Sequence, residues 1–225
     1  MNPDFNVQSV CLGYNRIVIG TRSGSIYETP ISEETGGQIG LIKPVSKNDK
    51  SSLKKWIKCI DHETPKSIAI DMISSRIYIL TYKGFFTVWD IQTFDIKFSK
   101  NYFKPSRSII SFKLSNKVML VFENEIIVLD SNPNTSTFDE IPSYKLSTNT
   151  ISDAKLNHNE KILGVATTSA AAPEVTLYDT DNAFNKMKTL YGFKSSIKYI
   201  DFSTDNYFLQ CEDNLGEVML FEIET

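Results

Sequence analysis

The sequence predicts an all-β protein made of repeated four-stranded sheets stacked side by side about an axis. Three observations carry that expectation. An aromatic residue or leucine followed by an acid recurs at Tyr27-Glu28, Trp89-Asp90, Leu129-Asp130, Tyr178-Asp179 and Phe221-Glu222. The intervals between them are 62, 40, 49 and 43 residues, and three of the four fall at or near the roughly 40–45-residue period of a propeller blade. Each interval repeats one internal order of strand-like runs and polar turns, and no segment keeps a helical period.

The first unit opens with an inner strand near Val7 to Leu12 and reaches its marker at Ser25-Ile26-Tyr27-Glu28. A polar insertion, residues 32–52, carries Gly36-Gly37 and an alternation of Lys, Ser and Asn, and it accounts for the long first interval. The outer strand is then expected at Leu53 to Ile60. The second unit starts with Ser67-Ile68-Ala69-Ile70-Asp71, turns at Ser74-Ser75, and continues through Arg76-Ile77-Tyr78-Ile79-Leu80 to Phe86-Thr87-Val88-Trp89-Asp90. In the third, a turn at Ser115-Asn116 precedes Val118-Met119-Leu120-Val121-Phe122 and Ile127-Val128-Leu129-Asp130. The fourth turns at Asn157-His158-Asn159 before Lys161-Ile162-Leu163-Gly164-Val165 and Val175-Thr176-Leu177-Tyr178-Asp179. The fifth runs from Ile197-Lys198-Tyr199-Ile200-Asp201-Phe202 through Tyr207-Phe208-Leu209-Gln210 to Val218-Met219-Leu220-Phe221-Glu222. Middle strands covered on both faces read as unbroken apolar runs, whereas an outer strand such as Lys188-Thr189-Leu190 or Ser143-Tyr144-Lys145-Leu146 is free to be polar.

The architecture expected is a β-propeller of about five blades, near residues 6–60, 65–99, 108–146, 151–190 and 196–225, with the last lacking its fourth strand. Such a stack is open, and propellers usually have about four to eight blades. The expectation is therefore part of a larger or double propeller, closed by further blades of a parent chain or by a partner.

With 225 residues, 41% hydrophobic and 23% charged, the chain is too apolar for disorder. Its formal net charge of −3 argues against binding nucleic acid by bulk charge. The start lacks a secretory pattern, and no apolar run is long enough for a membrane helix. Cys11, Cys59 and Cys211 have the spacing of neither a disulfide framework nor a zinc site. The expectation is a cytoplasmic chain with reduced thiols and no cofactor.

Trp89-Asp90 is the dipeptide that gives WD40 repeats their name, and His62, in Asp61-His62-Glu63, stands where such repeats usually carry Gly-His. The matching turn, Tyr82-Lys83-Gly84, offers no Asp to complete the hydrogen-bonded set. The stretch Ser195 to Gln210, containing Ser-Ser-Ile-Lys-Tyr-Ile-Asp-Phe-Ser-Thr-Asp-Asn-Tyr, resembles one in the echinoderm microtubule-associated protein-like family, with Phe202 in place of a Trp. Gly20-Thr21-Arg22-Ser23-Gly24 is similar to a segment that opens a blade in the second propeller of that family. The resemblance implies a non-catalytic structural scaffold of the microtubule cytoskeleton, found in ciliary axonemes, with tubulin or other axonemal proteins as partners. Neither the family's N-terminal coiled coil nor its hydrophobic motif is found here. The alternative is a general WD40 adaptor for protein partners in trafficking, signalling or ubiquitination.

Between Lys43 and Lys58 six lysines face one acid, Asp49. Lys47, Lys50, Lys54 and Lys55, with Trp56 as an anchor, are candidates to meet an acidic partner surface, and an ordinary solvated loop fits the same composition. Lys97, Lys100, Lys104, Arg107 and Lys113 form a second, looser basic stretch that reads as a solvated face. For catalysis, His62 and His158 are the only histidines, and neither a nucleophile elbow nor a phosphate-binding glycine loop occurs. Asp71, Asp153, Asp201 and Asp205 read as turn and cap residues.

Overall fold

The computed structural model describes residues 6–13, 16–30, 54–58, 63–71, 74–93, 95–131, 137–144, 149–168 and 172–223. Those residues form β-strands and connecting turns, with no helix among them. The chain divides into two compact units, Met1–Ile109 and Ile110–Thr225.

The first unit holds two antiparallel four-stranded sheets. One is β1 (Val7–Gly13), β2 (Arg16–Thr21), β3 (Ser25–Pro30) and β4 (Lys54–Lys58), and the other β5 (Pro65–Asp71), β6 (Arg76–Thr81), β7 (Phe85–Asp90) and β8 (Ile96–Asn101). Strand β9 (Ser106–Ser111) spans the boundary and is the inner strand of a third sheet, with β10 (Lys117–Phe122), β11 (Ile126–Ser131) and β12 (Phe138–Tyr144). The second unit adds β13 (Thr150–Leu156), β14 (Ile162–Thr168), β15 (Glu174–Asp179) and β16 (Asn185–Leu190), then β17 (Ile197–Phe202), β18 (Phe208–Asp213) and β19 (Val218–Glu222). Strands pair in the order in which they occur, so every sheet is a meander; its links are short except between β3 and β4, where residues 31–53 intervene.

What makes these sheets blades is the way their faces are hidden. In β6 all six side chains are buried, and β10 and β14 are nearly as enclosed. A strand can bury both faces only if something apolar lies on each side of its sheet. In the first unit Val18 and Ile26 of one sheet meet Ile68, Ile70, Ile77, Ile79 and Trp89 of the next. In the second unit Met119, Val121 and Val128 meet Ile151, Leu163 and Val165. Ala166, Val175 and Leu177 likewise meet Ile197, Ile200, Leu209 and Cys211. By contrast the outer strands β8 and β16 are mostly exposed, which their lysines tolerate.

Tyr27, Trp89 and Leu129 are buried, Tyr178 is half-buried, and Phe221 packs against the cluster around Leu209. The Trp89 Nε1–H donates to Thr87 Oγ1 at 3.0 Å. The acids that follow serve the turn leading to the outer strand. Asp90 Oδ1 accepts the Gln92 and Thr93 N–H groups at 2.8 and 2.9 Å, and Asp179 Oδ1 accepts those of Asp181 and Asn182 at 2.9 and 3.3 Å. The Thr93 N–H is the main cause holding the Asp90 carboxyl below the usual carboxylate range. Asp130 is exposed opposite Lys117. Lys47, Lys50, His62, Cys59 and the insertion 32–52 lie outside the described residues, as do the side chains of Lys54, Lys55 and Trp56, whose backbone forms β4.

Where two sheets approach most closely the sequence has glycine. A Cβ built on Gly20 falls 2.6 Å from both Pro65 Cγ and Ser9 Oγ. Gly20→Ala is therefore expected to destabilise the protein by about 1–3 kcal/mol through overpacking, measured as a lower urea midpoint at unchanged slope.

Candidate interaction surface

One turn recurs in three sheets: Thr21-Arg22-Ser23-Gly24, Thr81-Tyr82-Lys83-Gly84 and Asp213-Asn214-Leu215-Gly216. In each the glycine N–H donates to the carbonyl three residues back, at 3.0, 3.0 and 3.1 Å. Gly84 and Gly216 stand at φ of 88° and 80°, where a side chain would be strained. The first residue of each turn then accepts a further N–H through its side chain, from Ser25 at 3.2 Å, Phe85 at 3.0 Å and Glu217 at 3.0 Å. Its successor donates to the residue just before the inner strand: Arg22 to Asn6, Tyr82 to Thr64 and Asn214 to Ser196. The frame is invariant, and what it displays is not. Arg22 and Ser23, Tyr82 and Lys83, or Asn214 and Leu215 occupy the same two outward places.

A second device sits beside it. Inner strands β1, β5, β13 and β17 each carry one extra residue near their start: Gln8, Lys66, Ser152 and Lys198. A bulge of this kind re-aims its side chain. Lys66 is thereby carried over the Tyr82 ring, with Nζ 4.8 Å from its centroid. The Tyr82 hydroxyl donates to Gln8 Oε1 at 3.4 Å.

At this end of the first unit the link from β8 to β9 packs against the turn. Tyr102 N–H donates to the Gly84 carbonyl at 3.0 Å, and Ser106 N–H to that of Tyr82 at 3.1 Å. Between them Phe103 is 84% exposed. Its φ of 54° is in the left-handed region, a costly place for a bulky residue, and its N–H is held by Asn101 Oδ1 at 2.9 Å. Near it in the sequence are Lys100, with Nζ 4.9 Å from the Tyr102 ring centroid, then Lys104 and Arg107. Lys83 Nζ is 3.7 Å from Glu63 Oε1, and Glu63 also accepts the Thr81 hydroxyl at 2.5 Å. Lys66 and Lys83 on the turn, and Lys100, Lys104 and Arg107 along the link, thus belong to the same unit of a chain that is acidic overall. Exposed aromatic side chains amid arginine and lysine are the chemistry of a protein-binding surface that favours an acidic partner.

The loose basic stretch of the sequence is thus divided. Lys97 is exposed on the outer strand, and Lys100, Lys104 and Arg107 flank Phe103. Lys113, in the second unit, has its backbone N–H bound by the buried Glu160 carboxylate, which also accepts Leu114 N–H at 3.0 Å. Phe103 and Lys66 were not singled out from sequence. The available signal was a bulky aromatic in Asn101-Tyr102-Phe103-Lys104-Pro105, a segment that fits no strand.

Asp71 does cap a turn, accepting Ser74 N–H at 3.2 Å and the Tyr78 hydroxyl at 2.7 Å. Asp205 also serves a turn, accepting Tyr207 N–H at 3.1 Å. Asp153 instead joins two sheets: its Oδ2 accepts the Ile200 N–H at 3.0 Å. Ser67 has the corresponding role in the first unit, accepting Ile109 N–H at 3.0 Å. Burial raises the Asp153 pKa, only partly countered by the Ile200 N–H. Burial also pushes the Cys211 thiol up to about 12, which leaves no thiolate at neutral pH. Among the described residues no group of three or more His, Cys, Asp or Glu converges.

No protein-family model and no curated protein matches the sequence. Solved structures do. A chain of a mitotic checkpoint complex superimposes with a TM-score of 0.72 at 9% identity, over 96% of this chain and 61% of that one. The β-propeller domain of Cps50 (Swd1) from Myceliophteria thermophila gives 0.71 at 10% identity, over 97% and 65%. The chain therefore has the WD40-like β-propeller fold, and it spans less than two thirds of the length of either neighbour. In all, 1477 solved chains match, a breadth that identifies a fold and leaves the partner open.

Because the native fold raises the Asp153 pKa above its unfolded value, the associated stability is complete below the ordinary carboxylate pKa and is lost as pH rises through the raised one. Asp153→Asn keeps an oxygen for the Ile200 N–H and cannot titrate. Wild type is therefore expected to lose stability relative to this variant as pH rises above the ordinary carboxylate range. Asp153→Ala, which strands the Ile200 N–H, is expected to cost about 1–3 kcal/mol at pH 7. Urea unfolding of the three proteins across that rise in pH measures both.

Proposed function

We propose that the protein is a non-catalytic interaction scaffold that offers the cationic, aromatic end of its first unit to an acidic protein partner. The observation that carries this reading is Phe103, exposed and held in a left-handed backbone conformation, in a link that bonds to the Tyr82–Gly84 turn, where Lys66 lies over the Tyr82 ring and Lys83 is exposed. An aromatic anchor supplies most of the binding energy at such a surface, and the surrounding charges set encounter rate and specificity.

The partner we favour is the acidic surface of tubulin, which makes the chain a scaffold of the microtubule cytoskeleton with a place in the ciliary axoneme. Two sequence features support that choice: the resemblance of Gly20–Gly24 and Ser195–Gln210 to the echinoderm microtubule-associated protein-like family, and the six lysines between Lys43 and Lys58. A general WD40 adaptor role is the second reading. It is favoured by Tyr191 and Leu215 in the second unit, which are exposed and apolar and suit a partner of different chemistry.

The chain is expected to co-sediment with taxol-stabilised microtubules at low salt. Phe103→Ala is expected to weaken binding roughly tenfold, and Lys66→Glu with Lys104→Glu to flatten its salt dependence. Failure of the folded wild-type protein to pellet would remove tubulin as the direct partner.

A further inference from the structure

The Phe103 end of the first unit reaches beyond its second sheet. At the entry to β5 the Thr64 hydroxyl donates to the Arg22 carbonyl, in the turn between β2 and β3, at 2.7 Å. The Thr64 carbonyl in turn accepts the Tyr82 N–H at 3.1 Å. Beyond that turn the Tyr82 carbonyl accepts the Ser106 N–H at 3.1 Å and the Gly84 carbonyl the Tyr102 N–H at 3.0 Å. Segments 22–24, 63–66, 82–84 and 102–106 are thereby joined in one continuous row, which starts on the first sheet and ends at Phe103. The Tyr82 hydroxyl adds a tie to Gln8 Oε1 of β1 at 3.4 Å.

What the row displays changes along its length. Arg22 is exposed at one end. In the middle Lys66 lies over the Tyr82 ring, and the side chain of Lys83, next in that turn, is 80% exposed. Phe103 stands exposed at the other end. The four segments hold the cations Arg22, Lys66, Lys83 and Lys104 and one acid, Glu63. That acid does little to offset them at the surface, because its side chain is only 17% exposed and its Oε2 accepts the Thr81 hydroxyl. A floor whose backbone is bonded from segment to segment gives up little freedom when a ligand lies along it.

We propose that this row is the binding track for an extended acidic segment of a partner protein, with carboxylates at Arg22 and over Lys66 and Lys83 and an apolar side chain on Phe103. The track rests on the reading that Phe103 meets an acidic partner. It adds the first sheet to the site, brings in a guanidinium suited to bidentate carboxylate recognition, and asks for a linear ligand. Thr64 is a positioning residue, since its hydroxyl holds the Arg22 turn to the second sheet.

The test uses the full chain and synthetic peptides of about 12 residues, which reach roughly 40 Å when extended. Each carries glutamates spaced by serines at one end and a phenylalanine at the other, and both chain orders are made. Titration of the wild-type protein at low salt is expected to shift the amide signals of Arg22, Lys66, Lys83 and Phe103 together. In one order the whole peptide is expected to bind at least about tenfold more tightly than its glutamate half or its phenylalanine half, because the second contact is intramolecular. Arg22→Glu is expected to weaken the whole peptide and the glutamate half at least about fivefold and to leave the phenylalanine half unchanged. Phe103→Ala is expected to do the converse. Thr64→Val is expected to weaken the whole peptide about threefold, and Thr64→Ser to restore it. Binding that depends on Phe103 and is indifferent to Arg22 would overturn the track while leaving the Phe103 reading in place. A whole peptide that binds no better than its tighter half in either order would overturn it too. Microtubules that fail to pellet while the peptide binds as described would remove tubulin and uphold the track.

Discussion

Mutual burial of neighbouring sheets is the constraint from which the rest of this structure follows. A strand such as β6, with Tyr78 and Leu80 on one face and Ile77 and Ile79 on the other, has no polar side to give to water. Burying each such side chain is worth about 1.5–3 kcal/mol, and a lone sheet would forfeit that on both faces. The blade is therefore stable only as a member of a stack. That also explains why the apolar clusters draw on successive sheets instead of on one.

Apolar contact alone does not fix how far one sheet is displaced along the next, because greasy surfaces slide. Directional bonds across the seams do. Ser67 reaches Ile109, and Asp153 reaches Ile200, each from the inner strand of one sheet to the inner strand of the next. Glu160, buried at a φ of 62°, binds two consecutive backbone N–H groups of the preceding sheet's first turn. Such bonds add modest net stability, yet leaving any of them unmade strands a buried group. They select one register from several that hydrophobic packing would permit.

The fold was legible in the sequence because these constraints are written as residue type. Burial on both faces demands continuous apolar runs, and the turn into the outer strand demands an acid that accepts two N–H groups, as Asp90 and Asp179 do. The apolar runs recur in each sheet and an acid recurs at the marker five times in the sequence, so five weak matches reinforce one another. The surface was much less legible. Lys66 gains its position from a bulge, and a bulge is a fact of pairing that no composition reveals. Glu160 lies within a turn that reads merely as polar, and its role needs the neighbouring sheet. Asp153 differs from Asp71 only in which backbone N–H comes within reach. Of the lysines expected between Lys43 and Lys58, Lys47 and Lys50 lie outside the described residues, and Lys54 and Lys55 stand on β4.

The repeated turn and the repeated bulge together explain how such a rigid frame comes to carry specificity. The turn's backbone is held through the glycine N–H, the capping Thr or Asp and the bond to the residue before the inner strand. The side chains of the two central residues take no part in those bonds and can vary without cost to the frame. The bulged residue is likewise surplus to its ladder. In the first, second and fifth sheets three positions are thus released from the requirements of folding, and they lie at one end of the sheet. In the second sheet they are Tyr82, Lys83 and Lys66, which make a cationic, aromatic surface. In the fifth they are Asn214, Leu215 and Lys198, and Lys198 is taken up by Glu212 at 3.1 Å, leaving the apolar Leu215 outermost. One frame therefore displays side chains of different chemical character in different sheets, and these can change by substitution alone with the buried stack untouched.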